Sequence, residues 1–356
     1  MPAHSRVTLR QIADEAGVSL MAVSYALRDN PQIKPATRER IKAIAKQLGY
    51  SPDPALSALT AYRDAHHKSR FKGVLGFLTF KKEADAWKIY NYSTVFFNAA
   101  RQRAKSLGYN LEPFWARDPG QTGLEKMLRS RGIDGLLLDL PNTNHDPIPL
   151  DISRFCVVGI SRSWALSGLD FVSSNHYSNS LKTWDECWRR GYRRIGYISD
   201  IQIETKFEYR LMAAFLERQT SAKLKSAEKI PPLIHDYNQQ PDLKRWIKQY
   251  RPELIFSYQF WLKRSLTQLG YKIPEDIGLV SPLLSDDDLT LSGMTQPIED
   301  LGIMGVEMVH SKIMLNQRGL PQCQKALVAE GKWYEGETLR SGLIPDSATA
   351  IPHQSG

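Results

Sequence analysis

The chain has 356 residues, 42% hydrophobic and 24% charged, which suits two or three folded domains and excludes a mini-protein held by staples. Lys and Arg number 47 against 38 Asp and Glu, and this +9 favours a polyanionic partner without identifying one. The first 70 residues hold 11 basic and 6 acidic side chains, so more than half of the excess sits in a fifth of the chain. Cys156, Cys187 and Cys323 are odd in number and far apart, which argues against a disulfide framework or zinc ribbon and predicts reduced core thiols, with no metal or cofactor. The opening MPAHSRVTLRQ has no apolar h-region, and runs such as Gly73 to Phe80 are too short to span a membrane. A cytoplasmic protein is expected.

In chain order, Leu9, Ile12, Ala13 and Ala16 fall at helical spacing, and Thr8-Leu9-Arg10-Gln11 fits a capping box. Gly17 suits a left-handed turn, Val18 offers an apolar plug, and Ser19 can cap a second helix reaching about Arg28. A third helix is predicted from Pro35, through Ile41, Ile44, Ala45 and Leu48, to a stop at Gly49. Helix, tight glycine turn, helix and supporting helix is the geometry that lays a second helix in the major groove; a generic three-helix bundle shares the periodicity.

The strings VTLRQIADEAGVSLMAVSYALRD and TRERIKAIAKQLGYSPDPALSAL resemble the LacI/GalR family of bacterial transcription regulators over the whole DNA-binding headpiece. The resemblance implies base reading by Leu20 and Met21, with Ala22 and Tyr25 beside them, while Val23 and Leu27 face the bundle core. Apolar Leu20, Met21 and Ala22 would contribute contacts such as thymine methyl packing; for Met21 the alternative is core filling. Thr8, Ser19, Ser24, Thr37 and Arg38 are assigned to phosphate, which positions the protein without reading sequence.

Residues 51–59 begin with Pro52 and Pro54 and continue as a segment compatible with a short helix, marginal alone in water. In the resembled family this hinge folds when two copies meet on the operator, with the residue at Leu59 wedging into the minor groove beside Ala55 and Leu56. The alternative for Leu59 is packing on its own headpiece. Asp53 and Pro54 depart from the family pattern, and Lys34 replaces a common serine cap. Arg63, His66, His67, Lys68 and Arg70 read equally as a phosphate contact or a solvated linker.

From Phe71 onward, short apolar runs alternate with helical stretches: Val74 to Phe80, Val95 to Leu107, Leu111 to Phe114, Leu124 to Arg129, Leu136 to Leu140. This predicts βαβ units and parallel sheets, with Gly-Tyr pairs at 108, 191 and 270 as αβ junctions. RRGYRRIGYIS (189–199), GYKIPEDIGLV (270–280) and SGMTQP (292–297) are similar to the same family's effector domain. The implied fold class is an all-α helix-turn-helix headpiece plus an α/β two-lobed periplasmic-binding-protein-like effector domain. The expected domains are a headpiece over 1–50, hinge and linker over 51–70, effector and dimerisation domain over 71–343, and a mobile tail from Ile344. Lobe one is expected at about 71–190 and 296–325, lobe two at about 191–295 and 326–343.

The resemblance places Arg210 where an arginine holds ligand hydroxyls or a carboxylate, a task suited to a planar guanidinium; an ordinary surface arginine is the alternative. Asn175 stands where aspartate is frequent, and Leu283-Leu284 where a sugar-binding acid is usual. Trp87, Tyr90, Trp164, Tyr258 and Trp261 lie near expected strand ends, where rings stack on sugar faces or, alternatively, fill the core or a dimer interface. The implied protein is a homodimeric repressor of a pseudo-palindromic double-stranded operator, controlled allosterically by a small molecule, carbohydrate-like in chemistry. The rivals are a transport binding protein and an α/β enzyme. For the enzyme there is no Gly-rich phosphate loop, no G-x-S-x-G elbow at Ser161 and no H-E-x-x-H, leaving only an Asp139/His145 mimic of a catalytic pair.

Overall fold

The computed structural model describes residues 7–27, 33–50, 73–117, 123–139, 148, 150–222, 224–225, 228–236, 239, 241–284 and 290–341. Three helices form the N-terminal unit: α1 (Leu9–Ala16), α2 (Leu20–Leu27) and α3 (Pro35–Gln47). The capping box at the head of α1 is formed: the Gln11 N–H donates to Thr8 Oγ1 at 3.4 Å while the Thr8 N–H donates to Gln11 Oε1 at 2.7 Å. Gly17 ends α1 at φ 61°, a left-handed conformation that costs glycine little, and the Val18 N–H donates back to the Ala13 carbonyl. Ile12, Ala13, Ala16, Val23, Ala26, Ile41 and Ala45 form the buried centre. Four alanines among seven let the short helices approach closely. Arg40 adds a tie, donating from Nη2 to the Ala16 carbonyl at 3.1 Å. Leu48, expected on the buried stripe, is instead exposed, because α3 ends at Gln47 and Leu48 is its cap.

The rest of the chain builds two six-stranded sheets. The first contains β1 (Gly73–Thr79), β2 (Tyr109–Trp115), β3 (Gly135–Leu138), β4 (Cys156–Ile160), β5 (Phe171–Ser174) and β11 (Ala326–Ala329). They run all parallel, in the order β11-β5-β4-β3-β1-β2. The second contains β6 (Ile195–Asp200), β7 (Leu233–His235), β8 (Leu254–Ser257), β9 (Gly278–Ser281), β10 (Ser292–Met294) and β12 (Trp333–Tyr334). Its order is β12-β10-β9-β8-β6-β7, with only β12 antiparallel. Central strands such as GLLL and CVVGI are buried along their whole length, as parallel strands covered on both faces must be.

Helices α4 (Asn91–Ser106) and α11 (Ile298–Met314) supply one face of the first sheet, burying Phe96, Ala100, Leu301, Val306 and Val309 against Leu75, Phe77, Leu137 and Val158. Gly135 permits this approach: a Cβ there would stand 2.5 Å from Val309 Cγ1. Leu124 and Leu128 of α5 (Leu124–Ser130) pack on the opposite face. Lys312 of α11 forms a buried ion pair with Asp170 at 2.6 Å, and Asp170 also accepts the Lys325 N–H at 2.8 Å. One carboxylate thus pins three segments.

The lobe boundaries differ from those expected in two places. Helix α6 (His176–Arg189), expected in lobe one, buries Trp184 and Cys187 with Phe215 and with Tyr197 and Phe256 of the second sheet. Its aromatic face fits the second lobe's rings. Strand β11, expected in lobe two, pairs with β5 of the first sheet, Ala326 opposite Phe171 through Ala329 opposite Ser174. Backbone pairing therefore carries the last crossing past Ala329. Cys156 and Cys187 are buried as expected, whereas Cys323 is exposed. The hinge, the basic stretch after it, His145 and the tail from Ile344 lie outside the described residues.

Candidate functional site

Two regions of the molecule gather functional groups. The first is the start of α2. Ser19 caps it, its Oγ accepting from the Ala22 N–H at 3.2 Å. Val23 and Ala26 point into the core, so the helical period turns the first residues outward: Leu20 is 51% exposed and Met21 63%. Core filling by Met21 is excluded within this unit. Ala22, Ser24 and Tyr25 are half-buried beside them, Leu27 packs at the core edge, and Thr8 and Ser19 are exposed. Thr37 and Arg38 lie half-buried at the start of α3, whose cap Lys34 makes no side-chain bond while Pro35 takes the first turn. Ala55, Leu56 and Leu59 lie outside the described residues, as do Asp53 and Pro54.

The second region follows from topology. In each sheet the strand order reverses beside the first strand, between β1 and β3 in one and between β6 and β8 in the other. Open parallel sheets bind ligands outside the carboxyl ends of their strands at such points. Asp139 directly follows β3, buried, and accepts the Ser93 hydroxyl at 3.1 Å. Asp200 ends β6, accepting the Ile203 N–H at 2.8 Å and the Gln259 side-chain amide at 2.6 Å. Gln259 in turn accepts the Trp261 indole N–H at 2.9 Å, and His235 meets the Trp261 ring edge-on. Trp261 is thereby fixed beside the carboxyl end of β8. Tyr258 is half-buried next to it, its phenol pushed up by burial and by Asp200.

A contact joins the two lobes at this level. Arg162, just after β4, forms an ion pair with Glu208, which lies between α7 (Ile201–Lys206) and α8 (Arg210–Ser221). Glu208 also accepts from Arg210 Nε at 3.3 Å. Ser161, Glu208 and Tyr209 all have positive φ, at 80°, 52° and 59°, a backbone strain that non-glycine residues carry where surrounding structure enforces it. His176, the first residue of α6, packs its ring 4.3 Å from that of Phe207. Burial, then Arg162, Lys206 and Arg210, hold its imidazole down to about 3, so it is neutral at physiological pH. Burial and then Lys81 lower the Lys206 ammonium, against a smaller opposing pull from Asp139.

Of the residues predicted for this cleft, Arg210 heads α8 and is part of the Glu208 cluster. Tyr90 is exposed, with Lys81 Nζ 4.8 Å above its ring. Asn175 caps α6, accepting the Ser178 N–H at 3.2 Å. Trp164 lies on the 3-10 turn over Arg162–Ser167. Trp87 is a correction: its turn folds back on the sheet, so the ring is buried against Phe77 and Phe97 at 5.4 and 4.9 Å and has no free face to stack on a sugar. Leu283 and Leu284 are both buried, and the acidic run over 286–288 that follows them lies outside the described residues. Arg162, His176, Lys206 and Glu208 were not foreseen. The signal for Asp139 and Asp200 was available in GLLLD and GYISD, an acid closing an apolar strand.

Among the described residues no helix is long and apolar enough to cross a membrane, and no cluster of His, Cys, Asp and Glu could hold a metal ion. Residues 8–53 match the model of bacterial regulatory proteins, lacI family, and residues 184–339 that of the periplasmic binding protein-like domain. The HTH-type transcriptional regulator PtxS of Pseudomonas plecoglossicida is 26% identical over 331 residues, 88% of this chain and 92% of the relative. The repressor PurR of an Escherichia coli O139:H28 strain is 22% identical, with the same coverage of both chains. Two solved structures share the fold: a transcriptional regulator CelR–cellobiose complex (19% identity, TM-score 0.58) and a lac repressor dimer bound to operator and an anti-inducer (16%, TM-score 0.54). Each match covers 94% of this chain and all of the other.

Proposed function

We propose that this chain is a LacI-family transcription regulator rather than an enzyme, and that it represses by binding a pseudo-palindromic operator as a homodimer. A small molecule held between the two lobes controls it. The observation that carries the DNA half of this reading is the pairing of exposed Leu20 and Met21 with buried Val23 and Ala26 on one short, capped helix. Two apolar side chains held out from a fixed backbone suit thymine methyls in a major groove better than water. A dimer presents two such helices with two-fold symmetry, and the operator mirrors it.

Thr8, Ser19, Ser24, Thr37 and Arg38 contact phosphate, and Ala55, Leu56 and Leu59 form the hinge that enters the minor groove. Tyr90, Trp164, Tyr258 and Trp261 offer rings to the ligand, with Arg210 and Asn175 as polar contacts. The cellobiose bound by one structural relative favours a carbohydrate-like effector. Ligand bound across the lobes shifts their closure, and with it the spacing of the two hinges, by its differential affinity for the two states, about 1–3 kcal/mol in such systems.

The test is operator affinity against salt, with Leu59→Ala alongside. Affinity should fall steeply and linearly in log–log form as counterions return to the duplex, and Leu59→Ala should reduce both affinity and DNA bending. A flat salt response, or unchanged bending in the variant, contradicts the assignment.

A further inference from the structure

The groups around the start of α6 are unbalanced in charge. Arg162, Lys206 and Arg210 all act on His176, and Glu208 is the one carboxylate paired among them, shared by Arg162 and Arg210. Lys81 stands near Lys206 on one side and Asp139 on the other. Asp139 already accepts the Ser93 hydroxyl. Four cations thus face two carboxylates, both engaged. Lys206 is half-buried, with its Nζ 5.8 Å from the ring of Phe207, and the pull of Asp139 offsets only part of the burial and Lys81 repulsion that lower its ammonium. A lysine held this way is only partly compensated and favours a further counter-charge.

A second observation is independent of that count. His176 is only 4% exposed, yet its Nδ1 has no hydrogen-bond partner among the described residues. Buried ring nitrogens are nearly always paired, and a bound acceptor would satisfy this one. Held neutral, this imidazole can donate one hydrogen bond to an acceptor oxygen without adding charge. His176 is also the first residue of a 14-residue helix, capped by Asn175 at the Ser178 N–H, whose amino end carries the positive end of the dipole.

We infer that the effector carries an anionic group, a carboxylate or phosphate, seated between the start of α6 and Lys206, with Arg210 and His176 as its further contacts. This rests on the reading that the cleft holds the effector, and it narrows that effector from a neutral sugar to a sugar acid or sugar phosphate. The seat is also placed to act on lobe closure. An anion there competes with Glu208 for Arg162 and Arg210, and so loosens or replaces the ion pair that joins the lobes.

The test is isothermal titration of the full chain at fixed ionic strength with D-glucuronate, D-glucose 6-phosphate, inorganic phosphate and D-glucose, each repeated in the presence of an operator duplex. At least one charged sugar should bind at least about tenfold more tightly than glucose, phosphate should compete with it, and Lys206→Gln should weaken it by about tenfold or more. Lys206→Arg, which keeps the charge, should retain binding and shows that loss in the glutamine variant is not misfolding. Glucuronate against glucose 6-phosphate separates the carboxylate from the phosphate. Glucose binding as tightly as both charged sugars, charged-sugar binding indifferent to Lys206→Gln, or no binding of any anion overturns the inference. If glucose alone binds and moves operator affinity, the cleft reading survives without the anion seat. If the charged probes bind through Lys206 but leave operator affinity unmoved, the seat stands and the effector reading fails.

Discussion

The two functional regions are built in opposite ways. The proposed DNA-facing surface is local: one helix of eight residues, capped by Ser19 and backed by Val23 and Ala26, turns Leu20 and Met21 outward. The proposed effector site is assembled from afar, with Asp139, Arg162, His176, Lys206 and Glu208 brought together only by strand order and by chain crossings between the sheets. Local sites are apolar, exposed and fixed by their own helix. The assembled one is buried, polar and fixed by hydrogen bonds to other buried groups. A defect in the first should stay confined to DNA binding, whereas a defect in the second should reach both stability and regulation.

Truncation of buried side chains should break the comparison most visibly. Ile12→Ala removes a fully buried residue from a core of seven, where a large-to-small change costs about 2–5 kcal/mol. A unit this small should then be largely unfolded, abolishing operator binding while calorimetry of the two-lobed region shows an unchanged transition. Lys312→Ala should do the reverse, leaving Asp170 charged and buried at a cost of about 3–5 kcal/mol in the first lobe. Thermal unfolding should show that loss in the two-lobed transition, with the headpiece intact. If the two variants move the same transition, the units are not independent.

The next effect depends on pH and belongs to the cleft. His176 has its folded-state value depressed to about 3, below the ordinary 6.5, so the unfolded chain binds the extra proton first. The stability it contributes as a neutral group is therefore present above about pH 6.5 and is lost as pH falls toward 3. Between pH 7 and pH 5 the loss should be about 2 kcal/mol. His176→Gln should flatten the denaturation midpoint against pH over that window, and an unchanged slope would remove the buried neutral imidazole from the account.

Smaller effects sharpen the local side. Met21→Gln gives α2 a bidentate partner for adenine in place of an apolar contact, and should change preference at one or two half-site positions by about 1–3 kcal/mol. Selection on randomised half-sites measures this. A uniform loss at all positions would mean that Met21 supports folding instead. Thr8→Ala removes the cap of α1, with an expected cost of about 1 kcal/mol in headpiece stability.

The contrast also explains what could be read from the chain. Thr8 with Gln11, Gly17, Ser19 and Pro35 act within a few residues of themselves, so their roles were visible as spacing. Strand and helix alternation likewise predicted parallel sheets, while their division into two lobes was implied by the family resemblance. Trp87 was misread because an aromatic after a strand looks alike whether its turn faces the cleft or folds back on Phe77. Strand β11 was placed in the wrong lobe because its partner, β5, lies about 150 residues earlier in the chain. His176 and Lys206 have no local signature at all. Each matters for what surrounds it in space, an orphaned nitrogen in one case and an unbalanced charge in the other.

The central claim is that α2 reads duplex DNA as half of a symmetric pair. The most direct measurement is selection by the purified full chain from a pool of random double-stranded sequences at physiological salt, followed by sequencing. Enrichment of a motif whose two halves are related by a two-fold axis, with preference concentrated at the positions facing Leu20 and Met21, is the predicted result. A bound pool indistinguishable from the input, with and without added metabolites, would contradict it.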